Sequence, residues 1–539
     1  METVTKQGPR PAFRYGMRMK TLFRLDRLAV LTAGLCLIGG AQAGDLLVKT
    51  ESGVLQGFSK NVIKTDRAVE VFLGVPYAAA PTGDLRWKAP QPAEKWKGVR
   101  DASVMPSACS QASGGSEDCL YLNIYRPAGV SPEERLPVAV YWHGGDHVSG
   151  QASDFDGSRF ASYSKLIVVT VQYRLGVFGF LNLPSSMDGE GGSFGLQDMT
   201  AALRWVKRNI GRFGGDASSV TVMGQGSGAS DTCRLLVNPD AAGLFHGVVL
   251  QSTDCRNGTV SVEQSVKRSQ EFVGLTDCAD DKETIACLRS LPASAIQKAG
   301  ETVGDWAPAA RSSAASIIAR GNWNKVHVLM GSNRDEGRAE GAAFIGRNES
   351  DYKRWVTDQL GSAAAKALVR YPAYKYTSKY AIPYVAGDLI SDSGMNGYGG
   401  CATLDLARTF VKAGAPAVYL YEFQDENAPM IGRTSDYETL ASHGAEQAYM
   451  WPDAFAMQSR SERLTPEQWD LANVMRRYWG LFVRYKNPNT KNLPSWRSFS
   501  PSDSVMVFRP GEEGVATVSV DAIETAHKCS FWDTVRRND

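Results

Sequence analysis

The sequence predicts an α/β protein built on one large, mostly parallel central sheet. Short apolar, β-rich runs recur at 69–73, 138–142, 166–172, 220–223, 248–251, 326–330 and 417–421. Their flanks are rich in Gly, Asp and Pro, as strand ends require. Amphipathic stretches lie between them: over 198–209, Met199, Ala202, Leu203 and Val206 fall at helical spacing. Strands apolar on both faces and alternating with helices pack as a parallel sheet covered on each side.

Size and composition agree. The chain has 539 residues, 43% hydrophobic and 22% charged, with a formal net charge of +2. These values fit a folded protein with a large core and exclude a disordered chain. Residues 1–43 carry a charge of +5, which leaves −3 for the remainder. A slightly acidic body with no basic stripe is a poor partner for nucleic acid.

The basic start runs into an apolar stretch over 28–40 and then Ala41-Gln42-Ala43. This is the pattern of a secretory leader with cleavage after Ala43. The apolar stretch is too short to span a bilayer, and no later stretch is long enough. The expectation is a leader over 1–43 and a single domain over 44–539, exported to the periplasm or the extracellular space. Eight cysteines follow the leader, at 109, 119, 233, 255, 278, 287, 401 and 529. An even number in an oxidising compartment reads as disulfides. Spacing alone does not choose their pairing. No spacing of metal ligands is present, so neither a metal nor a cofactor is expected. The second half, over 260–320 and 350–490, reads as mostly helical excursions from the same sheet.

The chemistry-bearing motif follows the strand at 219–223. It reads Gly224-Gln225-Gly226-Ser227-Gly228-Ala229-Ser230 and leads into a helical run. Strand, Gly-rich turn and helix are the context of a nucleophile elbow, in which a serine sits at the sharp turn between two glycines. Gly224 and Gly228 have that spacing. The middle position is Gly226, and Ser227 comes one place late.

With this motif the chain resembles the type-B carboxylesterases, the family that includes cholinesterases and para-nitrobenzyl esterases. The similarity covers nearly all of 45–535. It includes Phe72-Leu73-Gly74-Val75-Pro76-Tyr77-Ala78, Glu117-Asp118-Cys119-Leu120-Tyr121-Leu122-Asn123, Tyr173-Arg174-Leu175-Gly176 and Phe213-Gly214-Gly215-Asp216. The resemblance implies an α/β-hydrolase fold, a small ester substrate and a Ser–Glu–His triad. The acid maps to Glu336 and the histidine to His443. The nucleophile maps to Gly226, which has no side chain to attack with. The oxyanion loop reads His143-Gly144-Gly145-Asp146-His147, where the family reads H-G-G-G-F or close to it. The implied donors are the backbone N–H groups of Gly145, Asp146 and Ser227. A carboxylate there opposes the stabilisation that such a hole gives, and an aspartate at a glycine's positive φ adds strain.

The resemblance also implies ion pairs Arg86–Glu117 and Arg174–Asp198, with Ser252 close behind the triad; His147, where the family has an aromatic residue, is a further candidate beside it. It implies disulfides Cys109–Cys119, Cys278–Cys287 and Cys401–Cys529, which leave Cys233 and Cys255 as a fourth pair. The short loop closed by Cys109–Cys119 argues against choline esters. Trp451 and Tyr449 follow His443 and are either walls of the site or core aromatics.

Three functions remain open at this point. One is ester hydrolysis, through Ser227 or through water activated by His443. Another is a nucleophile-free lyase, isomerase or cyclase with His443 as base, oriented by Glu336 and assisted by Asp146 or His147. The third is a non-catalytic homologue that binds a ligand or a protein.

Overall fold

In the computed structural model the described residues are 46–62, 67–184, 191–279, 283–429, 436–453, 464–500, 504–512 and 514–536. The proposed leader lies outside them. Fourteen strands occur among the described residues: β1 Leu47–Lys49, β2 Val54–Gln56, β3 Phe58–Asn61, β4 Ala68–Pro76, β5 Val99–Asp101, β6 Tyr121–Pro127, β7 Leu136–Trp142, β8 Ile167–Val171, β9 Gly215–Gln225, β10 Gly247–Gln251, β11 His327–Asn333, β12 Val418–Phe423, β13 Ser504–Phe508 and β14 Val515–Ser519. Strands β1, β2 and β5 form a small sheet. The other eleven form the central sheet, in the order β14-β13-β12-β11-β10-β9-β7-β8-β6-β4-β3.

The centre of this sheet, from β13 to β8, is parallel, and both margins are antiparallel. Its central strands are the apolar runs of the sequence. Every residue of β7, β8, β10 and β12 is buried, as a strand covered on both faces requires. The margins β3 and β14 alternate between half-buried and exposed residues. Short marginal strands such as β14 carry too little apolar signal to stand out in the sequence.

Four helices matter for the site: α1 Ser158–Ser164, α2 Gly176–Phe180, α3 Phe194–Asn209 and α4 Ser227–Leu236. Helix α3 buries Met199, Ala202, Leu203 and Val206, the stripe read from the sequence. Arg174 holds it by a buried, two-pronged ion pair to Asp198, with both bonds 2.7 Å long. Arg86 pairs with Glu117 in the same way at 2.6 Å. Arg86 also donates to the carbonyls of Leu288, Arg289 and Leu291, so it pins a helical excursion to the body.

The strand register decides where the site stands. Trp142 pairs with Gly224, Gly224 with Leu250, Leu250 with Met330 and Met330 with Leu420. The carboxyl ends of β7, β9 and β10 are therefore level, and β11 and β12 continue beyond them to Asn333 and Phe423. Loops leaving that edge converge, which is where open α/β sheets place their ligand sites.

Four disulfides join Cys109 to Cys119, Cys233 to Cys255, Cys278 to Cys287 and Cys401 to Cys529. Beside the last, a buried His527 lies between Asp392, at 2.8 Å, and Glu422, at 2.6 Å. Burial opposes its charge, but Glu422 and Asp392 hold its pKa up at about 10. Burial also opposes the charge of each carboxylate, yet the cation brings both below their ordinary range.

Stability should follow these shifts. The contribution of charged His527 is complete below the ordinary histidine pKa of ~6.5 and is lost as pH rises through about 10. The contribution of the two carboxylates is present above their unfolded values and is lost as pH falls through their lowered folded ones. Urea unfolding as a function of pH should show a plateau between these limits and a fall on the alkaline side. His527→Gln should flatten that alkaline fall.

Candidate active site

Strand β9 ends at Gln225, and α4 begins at Ser227. The single residue between them, Gly226, has φ 56° and ψ −124°. An L-residue is strained there, but glycine is not. The turn is tight because the backbones beneath it touch. A Cβ on Gly224 would lie 2.4 Å from the carbonyl oxygen of Gly228, and one on Gly228 would lie 2.5 Å from that of Trp142. Only glycines permit this packing of strand, helix and β7. A Cβ on Gly226 would instead point at the imidazole, 3.1 Å from His443 Nε2.

His443 is brought there by the loop after β12. Its backbone N–H donates to the carbonyl of Glu336, and its Nδ1 lies 2.8 Å from the Glu336 carboxylate. Glu336, fully buried just past β11, accepts a second bond from the Asn333 N–H at 2.7 Å. The Asn333 amide donates to the Ser442 carbonyl and to Glu446, which ties the acid's strand to the histidine's loop. Burial pulls the His443 pKa down, but Glu336, Glu340 and Glu446 carry it up to about 9. Burial, then the charge of Glu336, pushes Glu446 above its ordinary range.

Two further groups touch the imidazole. The Tyr398 ring lies over it, with 4.2 Å between centroids. Tyr398 also binds Glu340, whose other oxygen accepts from the Asn396 amide at 2.5 Å. The Gln225 side-chain amide meets His443 Nε2 at 2.9 Å. A neutral ring with its proton on Nδ1 accepts from the amide NH2 at this position. The charged ring donates to the amide oxygen, so a flip of Gln225 satisfies either state.

Opposite, the loop after β7 turns through Gly145, Asp146 and His147, at φ 114°, 54° and 62°. Asp146 is exposed, in a backbone conformation that L-residues rarely adopt. His147 is buried and bonds the buried Asp231 of α4 through Nε2 at 3.0 Å. The neighbouring His143 is a different case. It stacks on Tyr173, and burial takes its pKa down to about 4, against a bond to the Gly144 carbonyl that raises it. It is a neutral part of the scaffold.

Gly226, His443, Asp146, His147, Ser227 and Ser252 line one cleft of about 270 Å3. Trp306 and Tyr398 supply its aromatic surface. Ser227 and Ser252 are both buried, and their hydroxyls make no hydrogen bond among the described residues. Ser227 begins the helix and is 7% exposed. Trp451 and Tyr449 are not walls of this cleft. Both are fully buried, Trp451 against Tyr141 and Phe160 and Tyr449 against Phe423. Among the described residues, no group of three or more His, Cys, Asp or Glu is placed to hold a metal ion, and no helix is long and apolar enough to cross a membrane.

Sequence reasoning missed Gln225, Asp231, Glu340, Tyr398 and the role of Glu446. Gln225 stood in the motif already singled out. Asp231, four residues into α4 on its buried side, was the detectable signal: a carboxylate on an apolar face needs a partner.

A parallel sheet with an elbow between β9 and α4, and an imidazole–carboxylate pair over that elbow, defines an α/β hydrolase. The chain belongs to the carboxylesterase family, whose model matches residues 44–532. It is 30% identical to human carboxylesterase 3 over 87% of its length and 88% of the relative's. It is also 30% identical to the medium-chain fatty acyl-CoA hydrolase precursor of Anas platyrhynchos, over 87% and 90%. A thermophilic PNB esterase has a similar structure, with a TM-score of 0.74, 26% identity and coverage of 90% of this chain and 99% of that one. These relatives indicate a hydrolase with ester hydrolysis at the level of the family.

Removal of the acid's charge should show in the imidazole. Glu336→Gln should bring the His443 pKa from about 9 toward the ordinary ~6.5. Histidine ¹³Cε1 shifts followed against pH measure this directly.

Proposed function

We propose that the protein is an exported carboxylic ester hydrolase in which His443 activates water directly, without an acyl-serine. The carrying observation is the geometry at Gly226. A Cβ built there would stand 3.1 Å from His443 Nε2, so the position that faces the base carries no nucleophilic atom. The base itself retains its carboxylate. In the proposed step neutral His443 takes a proton from water as the water oxygen attacks the ester carbonyl, and Glu336 stabilises the imidazolium. Ser227 is a poorer nucleophile candidate, because it is buried on the first turn of α4 and makes no hydrogen bond to His443 among the described residues.

The proposal extends to the roles of the loop. The N–H groups of Gly145, Asp146 and Ser227 are the proposed oxyanion donors, and the Asp146 carboxylate weakens their effect. Loss of the serine of a triad costs about a million-fold in kcat, yet ~10³–10⁴ over water survives, so slow turnover is the expectation. Four disulfides and the leader pattern support export, with 44–539 as the mature domain. A second reading, a nucleophile-free lyase, isomerase or cyclase, draws on the same base beside a carboxylate at Asp146.

The test uses residues 44–539 with para-nitrophenyl acetate and butyrate. The natural chain should turn over many times without a burst, and its rate should rise with pH toward about 9, where His443 becomes neutral. His443→Ala should lower the rate at least ~100-fold. Gly226→Ser should add an acyl-enzyme burst and lose about 1–2 kcal/mol of stability to the positive φ. Turnover unaffected by His443→Ala would sink the proposal. Loss of turnover in Ser227→Ala would transfer the chemistry to that serine.

A further inference from the structure

We propose that His147, held by Asp231, is a second acid–base residue of the cleft, and that it gives a proton to the ester oxygen on which negative charge develops. The inference rests on the ester-hydrolase reading and adds the substrate class. The proposed substrates are esters of simple aliphatic alcohols, whose leaving alkoxides need a proton.

His443, His147 and Gly226 all line the cleft. Each imidazole is backed by a fully buried carboxylate, Glu336 at 2.8 Å and Asp231 at 3.0 Å. Such a carboxylate fixes the tautomer and the orientation of the ring it holds. Asp231 takes Nε2 of His147, so Nδ1 is the nitrogen left for a ligand. The Phe180 ring meets the imidazole edge-on at 5.3 Å, and the His147 carbonyl accepts from Gly176 at the start of α2, so the ring is locked in place.

Two features separate this pair from ordinary core packing. The backbone of His147 is left-handed, as is that of Asp146 before it, and strained residues of this kind concentrate at functional sites. The second oxygen of Asp231 is buried without a hydrogen-bond partner among the described residues. A carboxylate kept in that state for one imidazole is costly as scaffold alone. The pair also stands where help is needed. An alkoxide is a poor leaving group in water, and neither the backbone N–H groups of the proposed hole nor the base His443 supplies its oxygen with a proton.

The step balances. Water gives its proton to His443 Nε2 and its oxygen pair to the carbonyl carbon. The carbon–oxygen bond to the alcohol breaks with its electron pair on oxygen, and His147, entering the step as the imidazolium with its Nε2–H on Asp231, gives that oxygen its Nδ1 proton. Solvent then returns a proton to His147 and takes one from His443.

The experiment compares ethyl butyrate with para-nitrophenyl butyrate, whose leaving group departs as a stable anion. His147→Phe keeps an aromatic ring against Phe180. It should lower ethyl butyrate turnover about 100-fold and change para-nitrophenyl butyrate turnover less than about 3-fold. His147→Gln, polar but not an acid, should show the same split, and Asp231→Asn a smaller one. Equal losses on both esters, or rescue by glutamine, would show a structural role and overturn the inference. A second assay separates it from the ester reading. In D2O the α-protons of 2-butanone, an ester isostere, should exchange as His443 takes a carbon proton and His147 protonates the carbonyl oxygen. Exchange that depends on both histidines, with no ester turnover, would refute ester hydrolysis and keep the inference. No dependence on His147 in either assay would overturn it.

Discussion

Everything at this site depends on one contact, the backbone of Gly228 lying against Gly224 and the end of β7. There is no room for a Cβ at either glycine. That contact brings the start of α4 down onto the level ends of three strands. It forces the chain between them into a turn with φ 56° and aims that turn at His443. The geometry of an esterase elbow is thus fixed by its two flanking glycines. The middle residue is free to lose its side chain without loss of the turn, and here glycine removes the strain that the turn imposes on any L-residue.

Charge around the imidazole is the second determinant. Glu336, Glu340 and Glu446 surround one histidine, and burial raises the cost of each negative charge. The cationic ring offsets that cost, which is why it stays protonated well above the usual range. Asn333 and Gln251 satisfy Glu446 by hydrogen bonds that cross from β11 and β10 to the loop of His443. The imidazole of His443 is therefore mounted on three elements together.

The sequence made the core of the fold legible because the parallel strands are continuous apolar runs, as in β8 and β10. It hid β14 and the small sheet, whose short, half-exposed strands carry no such signal. Glu336 and His443 were reached through the family resemblance, and the structure brings them to 2.8 Å across 107 residues of sequence. Gln225 was quoted in the motif, but its contact with His443 spans 218 residues and leaves no local pattern. Tyr398 and Glu340 meet only through the folding of the helical excursions. Trp451 stood near His443 in sequence, but the loop turns its ring into the core beside Tyr141.

The Cys233–Cys255 disulfide ties the body of α4 to the segment that follows Ser252. That segment runs directly into 257–260, one wall of the cleft. The floor of the cleft is set by strand register, which needs no oxidation, but this wall is stitched to α4 by a bond between two sulfurs. The hydrogen bonds of the sheet, the glycine contact of the elbow and the bond between His443 and Glu336 do not pass through that sulfur pair. The cleft is thus set partly by register and partly by a covalent cross-link, so the redox state of its surroundings bears on one wall and not on its floor.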